Sequence, residues 1–150
     1  METVGLGLYF EDLPVGRRFK TIGRTVTEAD ITNFVNCTGM VEVLFTNTEF
    51  LARESDIKGR LAPGALVYCF AEGLLVQATM QHTGFAFLHM ELTVEAPVVA
   101  GDTIHLECTY DNSAADQPVI GGVKQTPADL TWGEKTTDEM CLDYLYFTLP

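Results

Sequence analysis

The chain has 150 residues, 47% of them apolar and 20% charged, a composition that excludes a disordered or fibrous protein and gives enough length to bury a core. With 21 acidic residues against 9 basic ones its net charge is −12, which repels a phosphate backbone and argues against nucleic-acid binding.

In chain order, Tyr9-Phe10-Glu11-Asp12-Leu13-Pro14-Val15-Gly16 reads as an extended segment closed by a Pro/Gly turn. Arg18 to Thr25 alternates well enough for a strand. Thr27 is a hydroxyl able to cap, with Glu28 and Asp30 in the turn behind it, so a helix starts there. Ile31, Phe34 and Val35 supply its apolar face, and Thr38-Gly39 ends it. Residues 40 to 62 read as loop and short helix, with one or two turns over Thr48 to Glu54.

Pro63 suits the first turn of the next helix, which runs from Ala65 to Met80. Leu66, Val67, Phe70, Ala71, Leu74, Leu75 and Ala78 cover more than one face, which predicts a buried helix. Strands are expected over Phe85 to Val94, Thr103 to Tyr110 and Leu142 to Leu149, with a turn at Ala100-Gly101-Asp102. Residues 111 to 140 are polar, and only broken strands fit there. A buried helix wrapped by an antiparallel sheet is the hotdog architecture, an α+β fold, expected here as a single domain.

Cys37, Cys69, Cys108 and Cys141 form no CxxC pair and no Cys/His zinc spacing, so no metal site is expected. Cys69 lies in an apolar run, where a thiol behaves as a small hydrophobe. The start has no basic stretch followed by an apolar one, and no apolar run reaches membrane-spanning length. The expectation is a cytoplasmic protein with reduced thiols and no membrane partner.

Four segments carry a family resemblance. They are Tyr9 to Gly16, Thr25 to Gly39, Lys58-Gly59-Arg60-Leu61-Ala62-Pro63-Gly64-Ala65-Leu66, and Ala96-Pro97-Val98-Val99-Ala100-Gly101-Asp102-Thr103-Ile104. In order and spacing they resemble the MaoC-like dehydratase and (R)-specific enoyl-CoA hydratase family of the hotdog superfamily. The resemblance implies a homodimer or higher homo-oligomer. It also implies an acyl thioester substrate on coenzyme A or a carrier protein, with no other cofactor, and reversible addition of water to a 2,3-double bond. Its usual mechanism uses an Asp and a His five residues apart that hold and deprotonate one water. The thioester oxygen takes a backbone N–H at the start of the hotdog helix, which falls on Gly64, with Pro63 before it.

The usual pair is not preserved. Its positions fall on Met40 and Phe45, or on Val41 and Thr46 counting back from Gly64, and none of these side chains is a base near neutral pH. Two carboxylates are candidates to replace it. Glu42 is the one acid in the apolar run Met40 to Phe45, a setting that favours a general acid or base. The competing reading is a solvent-facing or Arg-paired acid. Glu72 follows Gly64 by eight residues on the same helix, a spacing similar to that of some hotdog thioesterases. A carboxylate near an oxyanion hole suits thioester chemistry; the competing reading is a buried acid with a hydrogen-bond partner.

Asn47 can orient substrate or water. Arg60 is a candidate contact to a substrate phosphate, or a partner of Glu42 or Asp56. His82 fits a helix end, His89 a strand, and Phe85, Phe87 and Met90 the core. Cys37 has no His nearby in sequence to make it a nucleophile. Three functions remain open: a hydratase with a rearranged site, a non-catalytic acyl-CoA-binding protein, or an acyl-CoA thioesterase.

Overall fold

The computed structural model describes residues 1–84, 90–111, 113–115, 117, 119–120, 122–126 and 143–146. Its strands are β1 (Arg18–Lys20), β2 (Arg24–Thr25), β3 (Thr103–Ile104), β4 (Glu107–Tyr110), β5 (Val119–Ile120), β6 (Val123–Lys124) and β7 (Asp143–Tyr146). Its helices are α1 (Glu28–Thr38), α2 (Val43–Thr46), α3 (Thr48–Arg53) and α4 (Gly64–Thr79). The chain divides into two compact units.

One unit takes in Thr21–Leu75 and Leu92–Leu106. Its core is Val26, Ile31, Val35, Ala62, Leu66, Leu74, Val98 and Ile104, with Phe34, Phe45, Val67, Phe70 and Ala100 packed against it. The start of α1 is fixed by a capping box. Thr27 Oγ1 accepts from the Asp30 N–H, and the Asp30 carboxylate accepts from the Thr27 N–H and hydroxyl. Gly39 stops the helix in the left-handed region, at φ 72°. The expected helix thus forms within a residue of its predicted ends. β2 pairs antiparallel with β3, Arg24 opposite Ile104 and Thr25 opposite Thr103. The predicted turn also forms: Val99 N–H donates to Asp102 Oδ2, and Gly101 takes φ 101° and donates to Val26.

The other unit takes in Met1–Lys20, Val76–Glu91 and the described residues from Glu107 to Tyr146. Here β4 is the middle strand of an antiparallel sheet, with β1 on one side and β7 on the other. Phe19 lies opposite Cys108, and Cys108 opposite Leu145. β5 and β6 form a separate hairpin. The N-terminal segment is tied to the end of α4 by Gly7 N–H to Gln81 O and Leu8 N–H to Thr79 O, each 2.7 Å. A Cβ on Gly7 would lie 2.3 Å from the Thr79 carbonyl, so only glycine permits this approach.

Several expected elements differ. The strand expected over Arg18 to Thr25 breaks into β1 and β2, and the one over Thr103 to Tyr110 into β3 and β4. Leu106 explains the second break, because its N–H and C=O pair with Thr21 Oγ1 and Thr21 N–H instead of a ladder partner. Of the strand expected over Phe85 to Val94, residues 85–89 lie outside the described residues and Met90 to Val94 are not a strand. Met90, Leu92 and Val94 are exposed, so Met90 is not a core residue. β7 forms within the strand expected over Leu142 to Leu149. The turn expected at Trp132-Gly133-Glu134, His89 and Cys141 lie outside the described residues. α4 is not buried all round: Ala65, Cys69, Gly73 and Val76 are exposed among the described residues, so Cys69 is no core thiol.

Candidate functional site

The start of α4 is pinned by a short pairing between residues 60–62 and 98–100. Ala62 N–H donates to Val98 O, Ala100 N–H donates to Arg60 O, and Leu61 bridges Val99. Leu61, Ala62 and Pro63 are buried, so the helix enters from a fixed point. The Pro63 carbonyl accepts from the Leu66 and Val67 N–H groups. Among the described residues the N–H groups of Gly64 and Ala65 have no partner. Gly64 is exposed, and a Cβ built on it meets nothing within 4 Å. Two open donors lie at the positive end of a 16-residue helix, an arrangement suited to an anionic or polarised oxygen.

Glu72 is half-buried on the same helix. Tyr68 lies one turn earlier on the helix and is half-buried too. Burial, and then the Glu72 carboxylate by its charge and its hydrogen bond, raise the Tyr68 phenol above its ordinary range; the Cys69 thiol adds a smaller push. The phenol is therefore a donor throughout the neutral range. Residues 64, 68 and 72 fall within about 80° of helix arc, and about 12 Å of rise separates the first from the last. Helical side chains lean toward the N-terminus, which brings the Glu72 carboxylate back toward the open donors.

The other sequence candidates have local roles. Glu42 is exposed and caps α2, its Oε2 accepting from Leu44 N–H at 2.6 Å. Asn47 caps α3, its Oδ1 accepting from Glu49 and Phe50 at 3.0 Å. Of the four positions where the family resemblance would place the usual pair, Met40 and Val41 are exposed, Phe45 packs against the core, and Thr46 donates to the Glu42 carbonyl. Arg60 pairs with neither Glu42 nor Asp56. Its Nε donates to Glu28 Oε2 at 3.1 Å, and only 13% of its side chain is exposed. This replaces the expected partners, because α1 presents Glu28 where the Arg60 side chain runs. His82 sits in the turn past α4 at φ 64°, and Cys37 is exposed on α1.

Sequence reasoning missed Tyr68. The signal was present in the Tyr-to-Glu spacing of four residues, which on a helix makes neighbours. Arg24, one of several early basic residues that read as candidate contacts to coenzyme A phosphates, makes contacts the sequence did not indicate: its guanidinium lies 3.9 Å above the Phe70 ring and 2.9 Å from Asp30 Oδ1. Asp30 is held below the ordinary carboxylate range, chiefly by the Thr27 hydroxyl; burial opposes this, and the Thr27 N–H and Arg24 assist it.

No family model matches the chain. The protein MaoC of Klebsiella aerogenes is 32% identical over 102 residues, 67% of this chain but only 30% of that protein. The chain thus spans less than a third of this curated relative. A MaoC-like dehydratase from Rhodospirillum rubrum superposes with a TM-score of 0.61 at 30% identity, over 70% of this chain and 71% of that one. An (R)-hydratase from A. caviae involved in PHA biosynthesis superposes with a TM-score of 0.57 at 23% identity, over 72% of this chain and 80% of that one, a likeness of fold.

Proposed function

The chain belongs to the MaoC-like dehydratase family and has its hotdog fold, and from that premise we propose that it hydrates a 2-enoyl thioester with Glu72 in place of the usual Asp/His pair. The observation that carries this is Glu72 on the same helix stripe as the open Gly64 N–H. Gly64 N–H donates to the thioester oxygen and stabilises the enolate that forms as charge moves onto it. Glu72 as carboxylate takes a proton from a water whose oxygen bonds to C3. The resulting carboxylic acid returns that proton to C2, so one water is added and Glu72 ends as it began. Glu42 is left as a helix cap, and Asn47 and Arg60 are left to hold the local chain. In the same reading the chain is one domain of a cytoplasmic homodimer, and coenzyme A or an acyl-carrier arm enters only as part of the substrate.

The same spacing supports a second reading, hydrolysis of the thioester. Incubation with a 2-enoyl-CoA, following the conjugated double bond and free thiol together, separates the two. Loss of the double bond without thiol supports hydration. Thiol release supports hydrolysis. Binding with neither change supports a non-catalytic acyl-CoA-binding protein and refutes the proposal.

A further inference from the structure

We propose that Arg60 is a positioning residue for the open Gly64 N–H, its ion pair with Glu28 holding the chain that enters α4. The inference rests on the reading of Gly64 as the oxyanion donor given above. Residues 60 to 63 lead directly into that N–H, so whatever fixes them fixes the donor. One tie is made by backbone alone. Ala100 N–H donates to Arg60 O at 2.8 Å, and Ala62 N–H donates to Val98 O at 2.9 Å. The turn that supplies these partners is locked in its own right, with Val99 N–H donating to Asp102 Oδ2 at 2.8 Å. The Asp102 carbonyl also accepts from Val26 N–H at 2.8 Å. Arg60 adds a side-chain tie to a different element. Its Nε donates to Glu28 Oε2 at 3.1 Å, in the first turn of α1. The capping box of Thr27 and Asp30 holds that turn, so the carboxylate stands on a fixed support. All of these residues belong to one compact unit.

The asymmetry of the pair gives it force. An ion pair between two exposed side chains contributes little. Here the Glu28 side chain is 66% exposed but that of Arg60 only 13%. A charge so far out of water needs its partner, and removing the partner leaves it uncompensated. Among the described residues Glu28 is the one side chain bonded to the Arg60 guanidinium. Without it the guanidinium turns outward to water and pulls on residue 60, and with it on the pairing to Val98 and Ala100. The Gly64 N–H then shifts by a fraction of an ångström. A donor aimed at developing charge is sensitive to such a shift, whereas ground-state binding of the substrate is not. The loss therefore falls on kcat.

The test combines steady-state hydration of a 2-enoyl-CoA with the amide 1H–15N resonance of Gly64, on the full chain and its variants. Glu28→Gln and Arg60→Met should each lower kcat on the order of tenfold with KM unchanged, and each should move the Gly64 resonance. The double variant should match either single one, because both remove the same tie. Arg60→Lys should recover most of the rate. Only Nε bonds Glu28, so one ammonium can stand in for the guanidinium. Ile31→Val trims a fully buried side chain of α1 and serves as the control for lost stability. It should lower the melting temperature and leave both the resonance and kcat in place. An unmoved Gly64 resonance in Glu28→Gln and Arg60→Met overturns the positioning role, and so does an equal fall of kcat in Ile31→Val. A moved resonance with wild-type kcat keeps the tie but overturns the reading of Gly64 as oxyanion donor. Absence of turnover in the wild-type chain overturns hydration itself, while the resonance still decides whether Arg60 holds the donor.

Discussion

Replacing Gly64 by alanine separates what the backbone needs from what the chemistry needs. Gly64 is not among the positive-φ residues, and a Cβ there meets nothing within 4 Å. The fold therefore has no use for the missing side chain. Alanine lowers the entropy of the unfolded chain, so Gly64→Ala is expected to stabilise by about 0.4–1 kcal/mol. For a chain of this size that raises the melting temperature by roughly 1–4 °C. In the proposed function the added methyl would crowd a thioester oxygen held by the Gly64 N–H. A displacement of about 1 Å costs on the order of a hundredfold, so kcat/KM should fall between tenfold and a hundredfold. Thermal melting and hydration kinetics on one preparation read both halves. A variant melting several degrees lower would show that glycine serves the backbone. One melting as expected with wild-type kcat/KM would remove Gly64 from the site.

Thr27→Ala removes one half of the capping box and should cost about 1 kcal/mol in denaturant unfolding, with turnover unchanged. Asp30 is held below its ordinary value when folded, so it contributes stability above the unfolded pKa that is lost as pH falls through the folded one. Melting below about pH 4 should accordingly steepen in the wild type and flatten in Asp30→Asn. Ile31→Ala empties a fully buried site and should cost about 2–5 kcal/mol by chemical denaturation. Glu42→Gln keeps a side-chain oxygen to cap α2 and should retain wild-type turnover; a loss of activity would return Glu42 to the chemistry.

What was legible in the sequence was what short-range rules govern. Thr27, Asp30 and Gly39 state the ends of α1 almost alone, because capping is decided within one turn. The turn at Ala100-Gly101-Asp102 is legible for the same reason, since Gly101 supplies the positive φ and Asp102 the side-chain acceptor. Gly64 as the oxyanion donor came from the family resemblance, not from a local rule. The interrupted strand at His105-Leu106 was not legible, because Leu106 bonds to Thr21, far away in sequence. Glu42 misled because an acid among apolar residues resembles a tuned base, whereas its neighbours form a short helix that it caps. The partner of Arg60 was missed because Glu28 is reached through the fold and not along the chain.

In the proposed function Glu72, and not a residue between Met40 and Thr46, carries the acid–base work of this family member. The most direct measurement is kcat for hydration of a 2-enoyl-CoA by Glu72→Gln at saturating substrate, with the Glu42→Gln protein as reference. Turnover is expected to be lost in the first with substrate binding retained, and kcat to stay at the wild-type level in the second. Undiminished kcat in Glu72→Gln would contradict it.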